Sequence, residues 1–454
     1  MSSNKEFFDL TIIGSGIVGS STAYILSKFT DVNNIAIFDK NSEAGKGNSD
    51  SSMNSKTLHE GFAETNYTIE KVLRMKLAGK LFRNYFRKIE FNKAGFSKEE
   101  IFSYIPYFVL AIEDETSLLE EKFTVVSKIF PEIKMLNKNE IYKLEPALIE
   151  GRNKEEKVEA FYKEDGISIN FGNLAKFFIR ELKKSNKNIN YHFNEEVISI
   201  KKSGGFYEIK TRKSIYKSKV VFVASSANSF YLARKMGFLE DYSLVNVRGN
   251  YFVYPAVIKS KVYRIQIEKI PFVKIHADPN PFLASKNVEF GPTAELVLSK
   301  DYSKDLEFSY IFDEVIKNPS FIRSVYGILA DKDIRSFLFK NILYRIPKAG
   351  KALFVMEARK IIPKLKNDLL VFKKGGIRPQ IVDNVQRKLI LGEKIFIFDN
   401  LIFAVTPSPG ASASLLNAIE VSSLICKMLD KEVYLEKIMK FFEISNEDLK
   451  FMKL

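Results

Sequence analysis

The sequence predicts an α/β protein in which a nucleotide-binding domain is assembled from separated segments and an α+β unit built on antiparallel sheet is inserted between them. Three observations carry this. The chain opens on an apolar strand that runs into three glycines, TIIGSGIVG at 11–19. A second short strand, IAIFDK at 35–40, carries Asp39, 20 residues beyond Gly19. Farther on, KVVFVA (219–224) is an unbroken apolar run of the kind buried in a parallel sheet, whereas 242–298 reads as a series of antiparallel strands.

The first elements are the most specific. Gly14, Ser15, Gly16, Ile17 and Gly19 form a G-x-G-x-x-G turn between strand and helix. The glycines allow the tight turn, the close approach of a pyrophosphate and the close packing of helix on strand. Asp39, with Lys40 beside it, stands where an acidic group binds a ribose 2′-hydroxyl. NAD and FAD both satisfy this pattern. FAD is favoured because the turn opens the chain, a polar loop follows the ribose-binding strand, and a glycine-containing segment returns near the C-terminus. There is no second fingerprint for a nicotinamide cofactor.

Helices are expected at 20–29, 69–86, 116–129 and 137–144, with a strand at 104–112. The segment 41–68 is rich in Ser, Asn, Gly and Thr, and a loop of that length needs a reason, such as folding over a cofactor. Residues 166–184 give a loop and an amphipathic helix. A strand pair at 188–200 and a hairpin at 206–219 lead into 219–224, with Val197 and Ala224 placed near the cofactor. Residues 303–368 are mainly helical, 387–398 return to sheet, and PSPGAS (407–412) precedes a helix reaching about 429. A loop followed by a helix N-terminus is a second anion or flavin contact, here offered by Pro409, Gly410, Ala411 and Ser412. The nucleotide-binding parts are 1–75, 151–240 and 371–430, the second domain 76–150 and 241–370, and the helical tail 431–454.

Composition narrows the partners. A chain of 454 residues is too long for one ordinary core, and 46% hydrophobic with 28% charged residues describes a folded globular protein. The formal net charge of +15 suits acidic metabolites or an anionic membrane surface. The lysines are scattered, without an aromatic-interleaved basic patch or zinc-finger spacing, so nucleic acid is not expected. Three histidines and one cysteine, Cys426, argue against a metal site and exclude an intramolecular disulfide. No signal peptide is visible, and no run of 18 apolar residues is present to span a bilayer, which leaves peripheral contact.

Four candidates carry the chemistry. His276 and Asp278, in KIHADP, are the expected base and its carboxylate partner, since oxidising an alcohol by hydride loss requires a group to take the hydroxyl proton. Arg378, in GGIRPQIVD, reads as a guanidinium on a rigid turn, and Arg248, in VNVRGNYF, as a second. Arginine grips a carboxylate through two parallel hydrogen bonds. Ser55 and His59 lie in the polar segment, His59 in TLHEG facing either flavin or pyrophosphate. Gly376 and Ile377 begin the turn that carries Arg378. Lys274 and Gln266 are weaker polar candidates, and His192 reads as an ordinary strand residue.

Taken in order, IIGSGIVG (12–19), NSKTLHEGFAETNYT (54–68), VRGNYFVYP (247–255), KVYRIQIEKIPFVKIHADP (261–279), FGPTA (290–294), ARKIIPKL (358–365), GGIRPQIVD (375–383) and SPGASAS (408–414) resemble the malate:quinone oxidoreductases, in the short form of epsilon-type bacteria. These belong to the wider group of FAD-dependent 2-hydroxyacid and amino-acid dehydrogenases. The resemblance implies a peripheral enzyme on the cytoplasmic side of the inner membrane that oxidises (S)-malate to oxaloacetate and passes electrons through FAD to a membrane quinone. It implies His276 near the flavin, His59 in the flavin-side loop, and Arg378 with Gln380 in a turn closing over flavin or substrate. Another L-2-hydroxyacid, such as L-2-hydroxyglutarate, or an oxygen-using oxidase is the alternative. The chain departs from many relatives at Ser225–Ser226–Ala227, where they carry Ala–Gly–Ala-like residues, and serine brings a Cβ toward the cofactor.

Overall fold

Five strands of nearly continuous apolar sequence line up in parallel, in the order Ile189–His192, Ile35–Phe38, Phe7–Ile13, Ile215–Val223, Leu401–Val405, and Lys394–Phe398 closes one edge antiparallel. The computed structural model describes residues 6–266, 274–299, 306–311, 316, 318–390, 392–405 and 409–454. Three expected segments lie partly outside them: the strand PFVKIHADP before Lys274, the first part of 303–368, and Pro407–Ser408 of the C-terminal loop.

Where the parallel strands are covered on both faces they are apolar, and residues alternate between two cores. Leu10, Ile12, Ile35, Ile37, Val220, Phe222, Ile402 and Ala404 face the helices Ile17–Phe29, Phe171–Leu182 and Ser414–Leu429. Phe8, Ala36, Phe38, Val221, Val223 and Phe403 face the other way, onto the strands Val197–Ser203 and Phe206–Thr211 and the helix Ala227–Lys235. Cys426 belongs to the first core, where burial pushes its thiol up to about 11. The strand Phe7–Ile13 has Ile35–Phe38 on one side and Ile215–Val223 on the other. Connections therefore leave it in opposite directions, which opens a crevice at the carboxyl ends of the strands.

The second half is antiparallel. An eight-stranded sheet runs Val371–Lys373, Tyr251–Pro255, Asn287–Gly291, His276–Pro279, Lys261–Arg264, Tyr107–Ile112, Val158–Lys163, Lys134–Asn137, with one parallel pairing, between Lys261–Arg264 and Tyr107–Ile112. A four-stranded sheet runs Glu295–Val297, Tyr242–Arg248, Ile377–Asp383, Lys388–Ile390. Helices Pro319–Ala330, Lys332–Leu343 and Ala349–Ala358 account for the helical stretch.

Several elements differ from expectation. The strand Leu401–Val405 was not anticipated, because its five apolar residues follow the Lys394–Phe398 run after a two-residue turn and merge with it in sequence. GGIRPQIVD is not a turn beyond Gly376 but the strand Ile377–Asp383. A proline fits there because Lys388–Ile390 pairs only with Ile381–Asp383, so at Pro379 the strand has a neighbour on one side alone. The helix Ile69–Lys88 runs across the expected boundary at 75 and packs on the nucleotide-binding half, where Arg74 grips Glu420 with two bonds of 2.6 and 2.8 Å. Val158–Lys163, expected with the nucleotide-binding part, pairs in the antiparallel sheet. The tail helix Leu435–Phe442 also docks on Ile69–Lys88: Ile438 and Phe442 are buried, and Asn84 Nδ2 donates to the Phe442 carbonyl at 2.6 Å.

Candidate active site

A cavity of about 630 Å³ fills the crevice at the carboxyl ends of the parallel strands and continues onto the four-stranded sheet. Its first end is made largely of backbone. Gly14 holds φ at +102°, and a Cβ there would meet the Ala224 carbonyl oxygen at 2.5 Å. A Cβ on Gly19 would meet the Gly14 carbonyl oxygen at 1.9 Å, so the helix packs against the turn only because that carbon is missing. The Ile17 amide, at the helix N-terminus, donates to Ser49 Oγ at 2.9 Å. Asp39 is tied to the same turn: Oδ2 accepts from the Ser15 amide (2.8 Å) and hydroxyl (2.7 Å), and Oδ1 accepts from the Asn41 amide (2.8 Å) and side chain (3.0 Å). The Ser15 hydroxyl and the Asn41 carboxamide are the two side-chain donors on this carboxylate.

Of the expected cofactor contacts, Gly14, Gly16, Ile17, Asp39, Lys40, Ser55, His59, Val197, Ala224, Gly376, Ile377, Pro409, Gly410, Ala411 and Ser412 line the cavity. Ser15 and Gly19 do not; they brace it, one through Asp39 and the other through helix packing. Ser226 also lines it, at φ +58°, a conformation that favours glycine. Its hydroxyl accepts from Asn48 Nδ2 at 3.2 Å, and the same group donates to the Ile377 carbonyl at 2.8 Å.

The second end is made of side chains. His59 reaches the wall with 14% of its side chain exposed, and its Nδ1 pairs with Glu64 Oε1. The other Glu64 oxygen accepts the Gly61 amide at 3.0 Å, which fixes the carboxylate. The His59 amide donates to Ser412 Oγ (2.9 Å), and that hydroxyl donates to the Thr57 carbonyl (3.1 Å), so the 55–59 and 409–412 segments are clasped. With Glu64 on Nδ1, the Nε2 position is left to accept a proton. Arg378 also lines the cavity, and burial pushes the nearby Tyr251 hydroxyl up to about 12 against the pull of this guanidinium. Arg248 pairs across from Ile377 and Arg378 across from Val247, so the two arginines leave opposite faces of the strand pair. Arg248 is 1% exposed, and it lines the cavity as Arg378 does.

His276 and Asp278 are not among the lining residues. They are 2% and 0% exposed in the antiparallel sheet, with Nε2 3.0 Å from Oδ2, and the imidazole lies against the Tyr263 ring at 4.8 Å. Expected as a base and its carboxylate partner, they lie instead on the strand His276–Pro279, which is buried at every residue. Beside them Lys261 is fully buried. Its Nζ donates to the Ser55 carbonyl (2.7 Å) and Thr57 Oγ1 (2.8 Å) and lies 3.4 Å from Asp278 Oδ1. Burial lowers Lys261 to about 8, with Asp278 opposing. Burial pushes Asp278 up, but Lys261 and then His276 outweigh it and hold the carboxyl well below its usual range. A parallel arrangement sits next to it: Lys56 and Lys373 meet Glu289 at 2.8 and 2.7 Å. Lys274 pairs with Glu115 (3.0 Å), Gln266 bonds Thr65 through its backbone, and His192 stacks on Phe38 at 4.3 Å, so none of the three reaches the cavity.

Sequence reasoning missed Glu64, Lys261, Tyr251 and Thr57. Glu64 follows His59 by five residues inside a loop, and no periodicity announces that the two meet. Lys261 looked like one of many surface lysines.

The comparisons agree with this geometry. A family model described as malate:quinone oxidoreductase matches residues 6–451. The chain belongs to the malate:quinone oxidoreductase family. Curated relatives include the probable malate:quinone oxidoreductase of Campylobacter jejuni, 33% identical over 94% of this chain and 97% of that one. The malate:quinone oxidoreductase of Helicobacter pylori is 32% identical over 97% and 99%. Among solved structures, dithionite-reduced L-α-glycerophosphate oxidase from Mycoplasma pneumoniae with FAD bound superimposes with a TM-score of 0.67 at 20% identity, covering 94% of this chain and 96% of that one. Glycine oxidase from Geobacillus kaustophilus gives 0.64 at 17% identity, covering 93% and 95%. The fold is thus that of an FAD-containing oxidoreductase, and the family's activity is malate oxidation coupled to quinone reduction. No described helix is long and apolar enough to cross a membrane.

Proposed function

We propose that this protein oxidises (S)-malate to oxaloacetate at the cavity between the two sheets, with FAD as its cofactor, and passes the electrons to a quinone at a membrane surface. The observation that carries the chemistry is the His59–Glu64 pair on the cavity wall. The glycine turn, the Ile17 amide and Asp39 would hold the pyrophosphate and ribose of FAD, and Ser226 with 409–412 the rest. What FAD supplies when bound is a two-electron acceptor for the C2 hydride and a donor to the quinone.

The residues of the chain do the remainder. His59 Nε2 takes the proton of the C2 hydroxyl as the carbon–oxygen double bond forms. Glu64 orients the ring and stabilises the imidazolium that results. Arg378, on the cavity wall, binds a substrate carboxylate. Arg248, which lines the cavity from the opposite face of the strand pair, is the second guanidinium available to the dicarboxylate. His276 and Asp278 we assign to positioning: they hold Lys261, and Lys261 holds the Ser55–Thr57 backbone under the cavity.

Anaerobic bleaching of the flavin spectrum tests this. (S)-malate should bleach it without NAD, and a quinone analogue should restore it. Bleaching by 2-hydroxyglutarate instead would move the substrate and keep the site. Stoichiometric peroxide in air would make the protein an oxidase. Failure of His59→Ala to slow the bleaching would remove His59 as the base.

A further inference from the structure

The helical layer of the second domain hides its apolar residues poorly: among the described residues, Ile322, Tyr326, Phe339, Ile342 and Met356 are exposed on its three helices. The helix Pro319–Ala330 fully buries only Phe321 and Ser324, while Ile322 and Tyr326, one turn apart, are 50% and 79% exposed. The adjacent helix Lys332–Leu343 fully buries only Asn341. Phe339 and Ile342, three residues apart on one face, are each 62% exposed. A helix of a water-facing globular surface ordinarily turns such residues inward, and a large exposed apolar patch marks a docking surface.

Charge selects the occupant. From Pro319 to Lys360 there are nine Lys or Arg and three Asp or Glu. Arg335, Lys340 and Arg345 flank the apolar residues and are themselves exposed. Apolar side chains with basic neighbours on short helices are the composition of an interfacial element that lies on anionic lipid. A helix–helix interface with a protein would not call for that excess of one sign.

Position fits as well. The layer is joined to the cavity wall by a short chain of hydrogen bonds. The amide of the cavity-lining Gly375 donates to Asn250 Oδ1 at 3.3 Å, and Asn250 Nδ2 donates to Glu295 Oε2 at 2.6 Å. Glu295 Oε1 pairs with Arg345 at 3.1 Å. The neighbouring Ala294 amide donates to Asn341 Oδ1 at 2.7 Å. The tail helix Leu435–Phe442 offers no such face, since its apolar side is spent on the domain.

We propose that the helices Pro319–Ala330 and Lys332–Leu343 form the surface by which this protein lies on an anionic phospholipid bilayer, beside the cavity from which electrons leave. The choice of a lipid occupant rests on the quinone reading above; the exposed face does not.

The test is flotation of the FAD-loaded protein with vesicles of phosphatidylcholine alone or with added phosphatidylglycerol, at low and high salt. The protein should float with the anionic vesicles and lose them at high salt. The double variant Phe339→Glu/Ile342→Glu, and separately Arg335→Glu, should lower that partition by about tenfold or more, the free-energy scale of one or two surface groups at a charged bilayer. Both should retain FAD and reduce a water-soluble quinone analogue with malate at the wild-type rate. Leu144→Glu, at an exposed apolar position on the helix Lys138–Leu144, should leave partition unchanged. Equal partition of the double variant and wild type overturns the proposal. So does equal binding to neutral vesicles, or a solution dimer that the double variant dissociates while wild type ignores vesicles. Vesicle binding without any malate-driven bleaching would uphold the surface and sink the malate reading instead.

Discussion

The two ends of the cavity are built by different means. At the nucleotide end the chemistry lies in the backbone: a turn at φ +102°, a helix N-terminus, and carbonyls so close that a Cβ would overlap them. At the substrate end it lies in side chains drawn from distant segments: His59 with Glu64, Arg378 with Tyr251, Lys261 under Ser55 and Thr57. The first end depends on what is missing from its residues, and the second on what they carry. Adding one atom should therefore destroy the first, while removing several from the second should leave it folded and inert.

The largest effect belongs to the nucleotide end. Gly19→Ala places a carbon 1.9 Å from the Gly14 carbonyl oxygen, so helix and turn must part. The variant should be purified without flavin, which absorbance after desalting measures. Asp39→Ala should be milder and weaken FAD retention, because it frees the Ser15 and Asn41 donors as well as the ribose. Stoichiometric flavin in Gly19→Ala would break the comparison at its first term.

At the other end, His59→Ala should keep its flavin and slow anaerobic bleaching by saturating malate about 10²- to 10⁴-fold, the range for loss of a positioned general base. Glu64→Gln should slow it less and shift the pH dependence of the step. His276→Ala should spare the chemical step relative to His59→Ala. A larger loss in His276→Ala would return the base to the buried strand. Next in size is Arg378→Ala. A charge-assisted hydrogen bond contributes roughly 1.5–3 kcal/mol, so KM for malate should rise by about tenfold to a hundredfold, with bleaching at saturation less affected. Arg248→Lys should raise KM less than Arg378→Ala, since it keeps a cation at the cavity wall and loses only the bidentate fork.

The same division explains what could be read from the sequence. Gly14, Gly16, Gly19 and Asp39 are a local pattern whose spacing states its own geometry, and all but Gly19 line the cavity. The Pro409–Ser412 loop was legible for the same reason. Side-chain pairs are not local. Lys261 lies 204 residues from its partner Thr57, and Asn48 lies 329 residues from Ile377. KIHADP could not be decided from sequence, because a histidine with a carboxylate two residues on looks the same in a buried strand as at a site. The exposed helices are legible only in the structure: the apolar side of the tail helix Leu435–Phe442 is covered by the domain, whereas the face of Lys332–Leu343 is revealed only by what does not cover it.

The smallest effect tests the floor beneath the substrate end. Lys261 is lowered from 10.5 to about 8 by burial, against the attraction of Asp278. Between those two values the unfolded chain carries a proton on this lysine that the folded protein has lost. The unfolded state then binds more protons, so this residue makes stability rise with pH from about 8 toward 10.5. At neutral pH both states are protonated and the full cost of a buried cation is present. Lys261→Met should remove that slope, which urea midpoints at a series of pH values above 8 would measure. It also leaves Asp278 with His276 alone, so stability at neutral pH should fall rather than rise. Through the loss of its bonds to Ser55 and Thr57 it should loosen the wall that carries His59. Bleaching should therefore slow by a modest factor while flavin stays bound. A variant with the wild-type slope above pH 8 and unchanged bleaching would mean that the wall beside His59 stands without the lysine beneath it.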